Sequence, residues 1–121
     1  MVTENPAVQF FVGHPAGRAV AKAVVRAADH LGPHEVRVSR SQVAFRRRVG
    51  FAYLWRPGQY VSSDVPAVLS VALPRRDGSP RWKEVVHPSS GVWMHHLKLH
   101  SSAEVDDEVG AWLQDAYDAA R

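Results

Sequence analysis

The chain contains no cysteine. That excludes disulfides, a thiolate nucleophile and Cys-ligated zinc, and it agrees with the cytoplasmic location expected of this protein. Lysine is scarce, with three against twelve arginines in 121 residues. Long apolar runs are missing too. The longest are too short to cross a bilayer, so no membrane association is expected. The opening residues, Met1-Val2-Thr3-Glu4-Asn5-Pro6, lack a basic region followed by an apolar run, so no signal peptide is visible. Phosphate-loop, dinucleotide-glycine and Gly-x-Ser-x-Gly signatures are absent. No motif therefore calls for a cofactor, and none is expected.

What is present suits a core. Hydrophobic residues make up 45% of the chain, with four Trp, three Tyr and four Phe. This length fits a single domain over residues 1–121 that folds without staples. The net charge of +3 is unevenly spread. Val36 to Ser63 holds six arginines and no acid, whereas Ser101 to Arg121 holds six acids and one arginine. Such segregation marks either a binding face or two regions that neutralise each other within the fold or across a homodimer. The second is the blander account. Monomer and homodimer both remain open.

Asn5-Pro6 reads as a helix cap followed by proline at the first helical position, with a short helix over Ala7 to Val12 that Gly13 stops. From Ala16 to Leu31, Val20, Ala23, Val24, Ala27, Ala28 and Leu31 form an apolar helical stripe, and Gly32-Pro33 ends it. The period then changes to two. Val36 and Val38, Val43 and Phe45, and Phe51, Tyr53 and Trp55 alternate with smaller or polar residues, as strands do. Val65 to Leu73 is nearly continuous apolar sequence, suited to a strand covered on both sides, with Pro66 at its start. Trp82 to Val86 and Val92 to Leu99 are expected to pair across a loop, His87 to Gly91. Ser102 is the expected cap of a final helix whose first turns carry Glu104, Asp106, Asp107 and Glu108. The order predicts an α+β domain: a mostly antiparallel sheet of about five to six strands, with N-terminal and C-terminal helices packed on one face.

Five stretches carry a resemblance. They are Gln42-Val43-Ala44-Phe45-Arg46-Arg47-Arg48, Phe51-Ala52-Tyr53-Leu54-Trp55, Lys83-Glu84-Val85-Val86, Trp93-Met94-His95-His96-Leu97 and Leu113-Gln114-Asp115-Ala116-Tyr117. From about Asn5 to the C-terminus the chain resembles the uncharacterised domain family DUF5655. The paired histidines before an acidic helix are the most specific part. The resemblance implies a small bacterial cytoplasmic domain, found alone or attached to others, and brings no catalytic residues with it.

On a strand His95 and His96 point to opposite faces and share no ion. His96 and His100 share a face but lie about 13 Å apart at roughly 3.3 Å per residue, so no metal site is expected. His95, in line with Trp93, Leu97 and Leu99, reads as a core histidine with internal partners. His96, in line with Met94 and Lys98, is the better candidate for ligand contact or proton transfer. Arg46 and Arg48 are expected on one sheet face, with Arg37 and Arg56 nearby, where guanidinium forks suit phosphate or carboxylate. Phe51, Tyr53 and Trp55 invite comparison with base-stacking platforms. The blander account makes them core residues facing the helices, with the arginines as a solvated rim on the other side.

Three readings follow. The leading one is a binding module whose Arg46, Arg48, Tyr53, Trp55, Arg56, Lys83, His96 and Lys98 capture an anionic small molecule or an acidic protein partner. The second is a small enzyme in which His95 or His96 acts as general acid or base beside Tyr53 and Trp55. The third is an accessory nucleic-acid-binding domain, less favoured because the blander account separates aromatics from arginines.

Overall fold

The computed structural model describes residues 4–59 and 63–121. Asn5 accepts a hydrogen bond from the Ala7 N–H at 2.8 Å, and Pro6 opens helix α1 (Pro6–Gln9). Proline there sacrifices only an N–H that a first helical turn leaves free. The helix is shorter than the sequence suggests, because Phe10 to Gly13 continue as turns. Helix α2 (Pro15–Asp29) buries Val20, Val24 and Ala28, the inner part of the stripe, together with Ala21. Gly32, at φ +134°, then turns the chain away.

Six strands follow among the described residues: β1 (Glu35–Val38), β2 (Val43–Arg46), β3 (Gly50–Trp55), β4 (Ala67–Leu73), β5 (Glu84–Ser89) and β6 (Val92–Leu99). They form one antiparallel sheet in the order β1-β2-β3-β4-β6-β5. Helix α3 (Asp107–Ala119) closes the chain. Residues from α1, α2 and α3 join the inward side chains of the sheet in a core that includes Phe45, Leu54, Leu69, Val71 and Leu97. The architecture is the expected α+β arrangement, and the helices leave the other sheet face open.

Three further details differ from the expected layout. Trp82 lies outside the sheet, because β5 starts at Glu84 and runs on to Ser89. An irregularity between Val86 and Ser89 lets Ser89 still pair with Val92. The expected five-residue loop is therefore a tight turn at Ser90-Gly91, where Gly91 takes φ +75°. Lastly, Ser102 sits in a 3-10 turn (Ser102–Glu104), and the cap of α3 is Asp106.

Asp106 takes that place because two groups need its carboxylate. It accepts from the Val109 N–H at 3.1 Å and from Arg81 Nη1 at 3.1 Å. Arg81 also donates to Glu108 at 2.7 Å and to the Glu104 carbonyl at 3.1 Å. Burial raises the Asp106 carboxyl, but the Val109 N–H and Arg81 outweigh it and hold the group below the ordinary range. Asp106→Ala is expected to cost about 1–2 kcal/mol, read as a shift in denaturation midpoint. Ser102→Ala should stay within about 0.5 kcal/mol. The reverse order would return the cap to Ser102.

One irregularity decides what the open face carries. Phe45 pairs with Ala52, yet the next pair is Arg46 with Gly50, so β3 has an extra residue there. In such a bulge two residues oppose one and the strict alternation breaks. Phe51 and Ala52 are both buried, Phe51 against Tyr117 of α3 and Phe45. Tyr53 and Trp55 then fall on the opposite face. Grouping all three aromatics against the helices is therefore wrong, and so is the separation of aromatics from arginines that rested on it.

Candidate functional site

The register brings one rung of side chains across all six strands on the open face: Arg37, Ala44, Tyr53, Ser70, His96 and Glu84. Trp55, Val68 and Lys98 form the rung on one side. Ala72 and Met94 begin the rung on the other. Small residues on β4 between large ones on β3 and β6 leave a trough along β4. Its first compartment, about 430 Å³, is lined by Gln42, Tyr53, Trp55, Ser70, Met94 and His96. A second, about 400 Å³, also touches Tyr53 and Met94 and extends to Arg46 and Gly50 and to the last turn of α3. Tyr53 and Met94 wall both, so the two compartments adjoin.

Gly50 is required for this shape. A Cβ there would come within 2.1 Å of the Tyr53 hydroxyl, because the Tyr53 ring lies back along β3 over the glycine. Trp55 reaches across to β4 and donates its indole N–H to Ser70 Oγ at 3.0 Å. Ser70 Oγ in turn lies 2.7 Å from His96 Nδ1. Ser70 is 3% exposed, so its single proton must be used. With Oγ already accepting from Trp55, the satisfied arrangement has the Ser70 hydroxyl donating to His96 Nδ1. The His96 proton then resides on Nε2, as a donor.

Burial pushes His96 below the ordinary histidine value near 6.5. Glu84 opposes the shift, while Lys83 and His95 add to it. The ring is thereby held neutral at physiological pH. A general base would need a free Nε2 and a proton on Nδ1. That would turn Ser70 into a double acceptor with a stranded hydroxyl proton. Ser70 is likewise badly disposed as a nucleophile, buried and already engaged with Trp55. The arrangement is that of a fixed N–H donor beside two rings.

A pH consequence follows. The folded-state pKa of His96 is depressed, so its contribution to stability is complete above about 6.5 and is lost as pH falls through the lower folded value. The carboxylates of Asp77, Glu104 and Asp106 are also lowered, but from ordinary values near 4, so their losses come at more acid pH. Thermal stability should therefore decline in two stages on acidification, and His96→Gln should remove the first. An imidazole C2–H titration placing His96 at or above 6.5 would contradict this.

The structure gathers Tyr53, Trp55 and His96 in one compartment and puts Arg46 in the adjoining one. The other sequence candidates lie elsewhere. Arg48 is exposed in the β2–β3 turn, where its backbone N–H donates to the Ala120 carbonyl at 3.1 Å. Arg56 lines a separate hollow of about 290 Å³ with Pro15, Ala16 and Gly17 of α2. Lys83 precedes β5 and is exposed, and Lys98 is exposed beside Val68. Arg47 turns to the helix side, donates to the Tyr117 carbonyl at 3.0 Å and stacks 3.9 Å from the centre of that ring. His95 lies under the sheet, fully buried, with both ring nitrogens engaged. Ser70, Gln42 and Met94 escaped the sequence reading. Ser70 had a signal, being the only polar residue in the apolar run from Val65 to Leu73.

The acidic C-terminal region finds its ion pairs outside the basic stretch. Arg75 pairs with Asp115, and Arg81 with Asp106 and Glu108. Arg46, Arg48 and Arg56 make no ion pair among the described residues. No group of three or more His, Asp or Glu gathers into a metal-binding cluster among those residues. No helix among them is long and apolar enough to cross a membrane.

Comparison with known proteins gives one finding. The model of a family described as "Domain of unknown function (DUF5655)" matches residues 8–120. No curated protein and no solved structure matches the chain.

Proposed function

The chain belongs to the DUF5655 family, and from that premise we propose that it is a small binding module that holds an anionic ligand on the open face of its sheet. One observation carries the reading. A trough lined by Tyr53, Trp55 and His96 opens beside Arg46, an arginine without an ion pair among the described residues, whereas the carboxylates of α3 lie across the helix side. A guanidinium with no carboxylate partner offers its planar donor fork to a phosphate or carboxylate. His96 adds a neutral donor that needs no protonation. The absence of cysteine fits a cytoplasmic setting.

The test is a titration of the ¹⁵N-labelled full chain with phosphate and citrate. Shifts should cluster at Arg46, Tyr53, Trp55 and His96, and the double variant Arg46→Ala/His96→Ala should bind at least about tenfold more weakly, about 1.4 kcal/mol, with its spectrum still dispersed. Shifts confined to Arg56 and α2 would move the site. No shifts at all would end the reading.

A second reading, single-stranded nucleic acid, gains from the same correction. Tyr53 and Trp55 share the open face with Arg37, Arg46 and Lys98, the combination of rings and cations that strand-binding sheets use. It requires affinity that falls steeply with salt.

A further inference from the structure

The trough has features that a bare anion does not use. Trp55 and His96 stand at 85° to one another with ring centres 6.4 Å apart. Two perpendicular rings make a corner in which a third flat ring stacks on one and meets the other edge-on, the two arrangements aromatic pairs prefer. The Met94 thioether borders the same compartment, and sulfur beside a ring adds to the attraction. Among the described residues the Gln42 side-chain amide makes no hydrogen bond, and neither does the Tyr53 hydroxyl. An unpartnered amide offers a donor and an acceptor side by side, which suits the mixed edge of a nitrogen heterocycle. Arg46 lies four residues along the chain from Gln42, about 13 Å at roughly 3.3 Å per residue. That span is too long for phosphate or acetate to touch both, and it fits a ring and an acid joined by a short linker.

We propose that the trough binds a ligand of nucleoside-monophosphate type, with its heteroaromatic ring in the Trp55–His96 corner, its edge at Gln42 and its phosphate at Arg46. This rests on the anion-binding reading and narrows it. The neutral His96 N–H points a donor at a ring acceptor. Tyr53, lying over Gly50 between the two compartments, floors the linker. Glu84 is paired with His96 and Glu35 with Arg46 across the strands. Glu35 is engaged by Arg37 at 3.3 Å, whereas Glu84 has no ion pair among the described residues, so the acid belongs at the Arg46 end.

The experiment titrates the full chain with uridine and adenosine 5′-monophosphates, the parent nucleosides and inorganic phosphate, following the Trp55 indole N–H. At least one monophosphate should bind ten times more tightly than its nucleoside or phosphate and should shift that resonance. Trp55→Leu, followed through the backbone amides, should weaken the monophosphate at least fivefold more than it weakens phosphate. Gly50→Ala, which drives the Tyr53 ring aside, should weaken it as well. Phosphate binding as tightly as the monophosphates overturns this inference while the anion-binding reading stands. Nucleosides binding as tightly as their monophosphates overturn it from the other side. A short single-stranded oligonucleotide binding more than tenfold tighter than any monophosphate overturns it in favour of a strand. Silence to every probe, phosphate included, removes both readings. The wild-type comparison needs no variant, so it decides the matter even where a variant fails to fold.

Discussion

Replacing His95 with alanine should destabilise the protein by about 3–4 kcal/mol, the sum of a cavity and an abandoned backbone amide. The side chain is fully buried on the helix side of β6. Its Nδ1–H donates to the Trp93 carbonyl at 2.9 Å, and its Nε2 accepts from the Asp77 N–H at 2.9 Å. That second bond holds the connection between β4 and β5 onto the sheet. The Asp77 carboxylate then accepts from the Trp82 indole at 2.9 Å, the contact that most lowers its pKa. Trp82 packs over His95 at 4.8 Å and against Trp112 of α3 at 4.0 Å. One histidine therefore ties a loop to the sheet and, through an indole, to the last helix. His95→Gln keeps an acceptor within reach of Asp77 and should cost less than alanine. Denaturant melts would show both as midpoint shifts at constant slope. An alanine variant within 1 kcal/mol of the parent would mean that the loop holds itself.

His95 and His96 show where sequence suffices. Adjacent residues on a strand face opposite ways whatever the tertiary context, and the neighbours of each, Leu97 and Leu99 against Met94 and Lys98, told which side was wet. The helices were legible for the same reason: burial of α2 and α3 follows a 3.6-residue stripe that tertiary packing merely completes. The α3 cap was not, since Ser102 and Asp106 are both good cap residues and only Arg81, distant in sequence, chooses between them. The trough was harder still. Its rung pairs residues from six strands, and register between strands distant in sequence is set by long-range packing that one sequence does not display. Ser70 looked like an interruption in an apolar strand. Only the arrival of Trp55 and His96 from either side makes it the centre of a hydrogen-bonded chain.

The aromatic alternation at Phe51, Tyr53 and Trp55 misleads because a bulge shifts parity by one, and this yields the second large effect. Phe51→Ala should cost about 3–5 kcal/mol. Its ring is fully buried, edge-on to Tyr117 at 5.4 Å, and borders Phe45 at 6.4 Å and His34 at 6.0 Å. Tyr117 itself is fixed by its hydroxyl, which donates to the Pro33 carbonyl at 2.9 Å, so the cavity cannot close by moving that ring inward without breaking a buried hydrogen bond. Tyr53→Ala removes a half-buried ring from an open face and should cost at least about 2 kcal/mol less than Phe51→Ala. Without the bulge, all three aromatics would sit in one layer and their alanine variants would melt alike. With it, stability and binding separate: Phe51 holds α3 to the sheet, while Tyr53 and Trp55 are free to meet a ligand. Equal losses of stability at positions 51 and 53 would remove the bulge, and with it the trough on which the functional reading stands.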